Sequence, residues 1–273
     1  MSTAVTQKAR NAPDQRVIKT LGRVGMGCYG AVYGIIAYLA VRVAVGGGGQ
    51  EADQTGALAE IASTPFGAVV LWVLAVGLLA FGVWQLLMAA FSFEWVEQGH
   101  KRVLKKISAG VRGVVGISLG IAAIRIATGD GAQSGDQKQQ EMTARLMELP
   151  AGRLLVGFGS LIVIGAGVAS IVAGIRKSFM RDLDPGELPG GTRRWVEWLG
   201  VIGYAAKGVG IGIVGVLLGT AALDDNAGEA GGLDSALRTL AGQPFGTVLL
   251  IVVAVGFAAF GGYCFAAARA HRT

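Results

Sequence analysis

Continuous apolar runs alternate with short polar stretches along this chain, and each run is about as long as a bilayer is thick. Six of them stand at roughly 22–44, 66–91, 109–128, 153–175, 199–222 and 246–268. At ~1.5 Å per helical residue, about 20 such residues cover the ~30 Å hydrocarbon core, so each run predicts a membrane-spanning helix. Strands are the weaker reading, because a barrel wall alternates apolar and polar residues and these runs do not.

The pattern repeats. From Leu21-Gly22 onward the chain aligns with Leu199-Gly200 onward at a constant offset, which places Gly22, Gly25, Gly30 and Gly34 on Gly200, Gly203, Gly208 and Gly212. Pro65-Phe66-Gly67 matches Pro244-Phe245-Gly246, and Ala80-Phe81-Gly82 matches Ala259-Phe260-Gly261. A more diverged middle unit keeps the frame, with Arg42 on Arg125 and Pro65 and Gly67 on Pro150 and Gly152. A repeat of two spans preserves orientation. The expected fold class is therefore an all-α integral membrane protein: six transmembrane helices as three parallel-orientation helical hairpins with pseudo-threefold symmetry about the membrane normal. The chain then divides into a polar N-tail 1–20, a first hairpin 21–91, a loop and second hairpin 92–175, a loop 176–198, a third hairpin 199–268 and a C-tail 269–273.

Within each hairpin the connection has a pattern of its own. Thr55 to Thr64 and Asp234 to Gln243 each begin on an N-cap residue and place Leu58, Ile61 and Ala62, or Leu237, Leu240 and Ala241, at helical spacing. They read either as amphipathic helices lying in the outer interface or as ordered loops capping the hairpin. Pro65, Pro150 and Pro244 are expected to open the returning helices, where a missing N–H costs nothing.

Composition sharpens this picture. With 52% hydrophobic and 15% charged residues and a mean hydropathy of +0.55, the chain lacks the polar surface to coat a water-soluble globule. Two cysteines cannot make a disulfide scaffold. The net charge of +6 reports sidedness rather than nucleic acid, because 16 of the 24 Lys and Arg lie in the N-tail up to Arg23, in 92–108, in 176–198 and in the C-tail. The segments 45–65, 129–152 and 223–245 carry 11 of the 18 acids. Basic loops stay in the cytoplasm, so both termini are expected there. Residues 1–20 have no apolar core, so no cleavable signal peptide is expected and the first span serves as its own insertion signal.

Three motifs carry a resemblance: Gly22-x-x-Gly25-x-x-x-x-Gly30-x-x-Tyr33, Ala52-Asp53-Gln54-Thr55-Gly56-Ala57-Leu58 and Pro65-Phe66-Gly67. The chain resembles, over nearly its whole length after the N-tail, the bacterial membrane proteins catalogued as domain of unknown function 1206, which carry three copies of a two-helix unit. The resemblance implies the same fold and a multi-pass place in a bacterial cytoplasmic membrane, and almost nothing about activity. The family's unit has a basic residue just before its third glycine; Arg112 and Lys207 keep it, while Tyr29 departs from it. The Asp53 motif is weak in the second unit and displaced in the third.

Little in the spans supports chemistry. None contains Asp, Glu or His, which disfavours a carboxylate-based cation carrier. His100 and His271 have no second ligand at metal spacing. Ser118, Ser160 and Ser170 lack a base to activate them and are expected to bond between helices, and Cys28 and Cys264 read as packing thiols. No catalytic residue, metal or cofactor is expected, and the protein reads as no enzyme. Gly30/Gly34, Gly208/Gly212, Gly116/Gly120 and Gly215/Gly219 are spaced for close helix approach.

Apart from Arg23 and Arg153 at span ends, four cations interrupt the spans: Arg42, Arg112, Arg125 and Lys207. Arg42 and Arg125 share a repeat position near the outer end and read as snorkelling side chains, with Asp53 a partner for Arg42. Arg112 and Lys207 share the position of Tyr29 nearer the cytoplasmic end. Either they reach out to anionic headgroups or they converge on the axis as an anion-attracting cluster. Two functions stay open: a non-enzymatic structural, accessory or lipid-interacting component, with membrane lipids as partners and no nucleic acid, or a channel or carrier for an anionic or neutral small solute.

Overall fold

The computed structural model describes residues 15–47, 49–91, 100–131, 133–183 and 192–270, and no strand occurs among them. The helices are α1 (Gln15–Ala44), α2 (Gln54–Ala62), α3 (Gly67–Phe91), α4 (His100–Ala127), α5 (Gly135–Met147), α6 (Gly152–Ile175), α7 (Arg193–Asp224), α8 (Leu233–Ala241) and α9 (Gly246–Ala270). Six of these, α1, α3, α4, α6, α7 and α9, are long and apolar enough to cross a membrane, as a multi-pass membrane protein requires. The short α2, α5 and α8 occupy the connections inside the three sequence units.

The prolines do not open the returning helices. Each stands two residues earlier, in the turn after a short helix, and the helices begin at Gly67, Gly152 and Gly246. The reason is steric. A Cβ on Gly67, Gly152 or Gly246 would run into the carbonyls that end the preceding helix, at Ile61, Leu146 and Ala241. Only glycine lets the chain reverse so tightly, and Ala151 and Phe245 just before it are driven to φ 63°.

Packing runs mainly between units. The most extensive contacts are α3 on α4, α6 on α7 and α9 on α1, each joining a returning span to the outgoing span of another unit. Glycines make these approaches close. A Cβ on Gly30 would lie 2.9 Å from the Gly261 carbonyl oxygen, one on Gly113 3.1 Å from that of Gly82, and one on Gly208 2.6 Å from that of Gly167. Gly34 and Gly212 have room for a Cβ, and contribute instead the backbone nitrogens that face Gly261 and Gly167. Arg23 Nη2 donates to the Arg269 carbonyl at 3.3 Å, so the start of α1 and the end of α9 meet at one face of the bundle.

Packing inside the units is uneven. In the first unit Gly25 lies against the Phe81 backbone and Gly77 against the Cys28 thiol; in the third, Gly203 lies against Phe260 and Gly256 against Ala206. The middle unit has Ser108, Ala166, Val111 and Ile162 at the corresponding positions. Without glycine notches, and without a ring to fill them, α4 and α6 scarcely touch. The six long helices therefore follow one another in the order α4, α3, α1, α9, α7, α6, and among the described residues the series is open between α4 and α6.

Candidate functional site

Lys207 sits mid-way along α7 at the repeat position of Tyr29 on α1. It does not snorkel outward. Its Nζ lies 3.4 Å from the Tyr29 hydroxyl and over three ring faces, at 4.7 Å from the centroid of Phe260, 5.4 Å from that of Tyr33 and 5.6 Å from that of Tyr29. Ring quadrupoles and a phenol oxygen thus replace part of the water that an ammonium ion loses on leaving the aqueous phase. The rings are held in turn: Tyr29 stacks on Phe81 at 4.8 Å, and Tyr33 packs edge-on against Phe257 and Phe260. The Tyr29 and Tyr33 hydroxyls stand 3.4 Å apart.

Arg112, the third member of the position, lies on α4. It is half-buried, and its Nε is enclosed without a hydrogen-bond partner among the described residues. Tyr29 rests on Phe81 and Lys207 on Phe260, but the residue of the middle unit equivalent to those rings is Ala166. Among the described residues, no ring lies against Arg112.

A second polar cluster closes the end of the bundle opposite the termini. Asp53 is the N-cap of α2 and accepts from Gly56 N at 2.6 Å; its other oxygen lies against Gly135, where a Cβ would collide with it. Asp136 accepts from Gly232 N at 2.7 Å, from Ser235 N at 3.1 Å and from the Ser235 hydroxyl. Asp234 accepts from Ala52 N at 2.8 Å and from Arg238 Nε at 2.5 Å. One carboxylate from each unit therefore meets the next unit, first to second, second to third and third to first. Burial raises the Asp53 carboxyl to about 7; nearby Glu51, Asp136 and Asp234 push the same way, and the Gly56 N–H opposes them. Burial and the same acidic neighbours also raise Glu51.

Several sequence expectations change here. Arg42 pairs with Glu60 at 3.2 Å, while Asp53 turns to the helix cap. Arg125 is exposed. The N-cap of α2 is Asp53 rather than Thr55, and that of α8 is Gly232, with Asp234 in the first turn. Leu58 and Leu237 are fully buried against the long helices, so α2 and α8 cap the bundle. Ser160 and Ser170 donate to carbonyls of their own helix, Gly157 and Ala166, rather than across to another. Cys28 and Cys264 are free thiols packed against Gly77 and Gly30. His271 and the side chain of His100 lie outside the described residues. The partnership of Asp136 and Asp234 with Asp53 was missed because insertions shift the three acids along the chain. The signal that finds them is local: Ala52-Asp53-Gln54, Gly135-Asp136-Gln137 and Leu233-Asp234-Ser235 each stand at the start of a short helix.

The repeated unit is also what comparison with known proteins recovers. The family model described as Domain of Unknown Function (DUF1206) matches three times, at residues 24–92, 107–177 and 202–271. The uncharacterized protein YxxB of Bacillus subtilis (strain 168) is 26% identical, over 90% of this chain and 88% of its own length. No solved structure matches. With three matched segments that take in the long helices of all three units, the chain belongs to the Domain of Unknown Function (DUF1206) family.

Proposed function

We propose that this protein is a non-enzymatic, lipid-interacting component of the bacterial cytoplasmic membrane, with both termini in the cytoplasm and three hairpins arranged about an axis along the membrane normal. The concentration of Lys and Arg at the ends and in the loops 92–108 and 176–198 supports the orientation. The glycine approaches at Gly30, Gly113 and Gly208, and the carboxylates that pass from unit to unit, support the axis.

One observation carries the reading of function: around Lys207 the interior is occupied by Tyr29, Tyr33, Phe81, Phe257 and Phe260, all of them buried. A packed aromatic layer at the cation, with a capped end above it, suits a protein that holds lipid and partners at its periphery better than one that passes solute along its axis. The reading is tested by purifying the protein in mild detergent and measuring bound phospholipid by native mass spectrometry. Retention of anionic phospholipid in preference to phosphatidylcholine is expected, and a lipid-free protein sinks the reading.

The inward turn of Lys207 favours a second reading, an anion channel or carrier. Proteoliposomes loaded with chloride or phosphate distinguish the two. A protein-dependent flux abolished by Lys207→Met establishes transport, and the absence of flux above empty liposomes removes it.

A further inference from the structure

We infer that the opening between α4 and α6 is a binding groove for one anionic phospholipid, its phosphate held by Arg112 and an acyl chain lying where the other two units place their rings. The inference rests on the lipid-interacting reading above and gives it a site. Three observations converge on this opening.

First, the middle unit lacks the filling that closes the other two. Phe81 and Trp84 fill the seam between α1 and α3, and Phe260 and Tyr263 fill that between α7 and α9; all four are buried. The equivalent residues of α6 are Ala166 and Ala169, both exposed, and Ile162 stands exposed where Gly77 and Gly256 are buried. Facing them on α4, Val115 is 38% exposed where its counterpart Val32 is fully buried. Absence of the two rings leaves the seam between α4 and α6 lined by small and aliphatic side chains and exposed.

Second, the slot has a cation at its inner edge. Arg112 lies one helical turn from Ser108 and Val115 on α4, and its Nε is buried and unsatisfied. An enclosed guanidinium donor without an acceptor is costly in a membrane, and a phosphate takes two parallel N–H bonds from such a group. Arg112 is six residues from Lys106, where the span begins, and so about 9 Å along the helix from that end. That depth is within reach of a headgroup of the same leaflet by a long side chain.

Third, Lys207 does not compete for the headgroup, because its ammonium is already engaged by Tyr29 and three rings. Among the described residues, the cap formed by α2, α5 and α8 closes the other end, while the seam between α4 and α6 faces the bilayer.

The test uses the full-length protein in detergent with phosphatidylglycerol, phosphatidylcholine or inorganic phosphate added, and native mass spectrometry as readout. The expected result is one tightly retained phosphatidylglycerol per chain. Arg112→Leu lowers its retention about tenfold, the loss of one charge-assisted pair, and Arg112→Lys restores part of it. Ile162→Gly combined with Ala166→Phe, which rebuilds the seam of the other units, expels the lipid while Arg112 stays in place. Retention untouched by both Arg112→Leu and the filled seam overturns the groove and leaves lipid interaction elsewhere on the protein standing. A wild-type chain that retains no phospholipid overturns both. Displacement of the lipid by millimolar inorganic phosphate alone shows that the headgroup chemistry suffices without the acyl chain, and overturns the groove as its seat. If the filled seam fails to fold, Arg112→Leu against Arg112→Lys still decides.

Discussion

Single residues in this protein are under strain that their neighbours impose. Asp53 is the clearest case. Its carboxyl is raised to about 7 by burial, so the folded state holds a proton that the unfolded chain releases near pH 4. The contribution of Asp53 to stability is then highest at low pH, falls as pH rises from about 4 to about 7, and levels off above. The whole effect is at most about 4 kcal/mol, at ~1.4 kcal/mol for each tenfold change in proton affinity. Thermal unfolding measured between pH 5 and 8 is expected to show this fall, and Asp53→Asn, which keeps an acceptor for Gly56 N, is expected to flatten it. Ala151 is strained differently, at φ 63° in a turn that favours glycine. Ala151→Gly should stabilise by about 0.5–1 kcal/mol, read as a higher unfolding midpoint.

Between helices, the decisive feature is where a glycine meets a backbone. Gly203 on α7 lies 2.6 Å, measured from an added Cβ, from the Phe260 Cα, whereas its counterpart Ser108 on α4 is exposed beside the opening to α6. A leucine introduced at the two positions must therefore have unequal consequences. Gly203→Leu is expected to cost about 1–3 kcal/mol or to prevent assembly, while Ser108→Leu stays within about 0.5 kcal/mol of the parent. Unfolding of the two variants in one detergent gives the comparison. The glycine spacing was legible in the sequence, and so were the equivalent positions Gly30, Gly113 and Gly208. Which glycines touch was not. Gly34 and Gly212 fit the spacing as well as Gly30 and Gly208 do, yet an added Cβ there meets nothing. Spacing defines a face, and the crossing point on that face depends on the partner helix.

For the whole molecule, the cap is the part that ties the units together. Asp234 accepts from Ala52 N and from Arg238, so Asp234→Ala leaves a buried N–H without a partner, at a cost of about 1–3 kcal/mol. Hydrogen exchange is expected to speed up at Ala52 to Ile61 while the middle of α1 keeps its protection. Equal loosening throughout the bundle would mean that cap and spans unfold as one body. Orientation is a separate question at this scale. Reporter fusions at either terminus or within 92–108 are expected on the cytoplasmic side, and a periplasmic signal from any of them reverses the orientation.

The sequence by itself determined the six helices long and apolar enough to cross a membrane, the three repeated units and the family, because each follows from hydropathy over about 20 residues or from identity at fixed offsets. It also placed Arg112 and Lys207 at one repeat position. The tertiary structure alone decided what those cations meet. Lys207 and Arg112 share a register, but Phe260 lies beneath one and Ala166 stands where the ring beneath the other would be, residues far away in the chain. It alone brought Asp53, Asp136 and Asp234 into one cap, since insertions had hidden their equivalence. And it alone showed the opening between α4 and α6. A missing contact leaves no periodicity to read; it arises from what two helices together fail to fill.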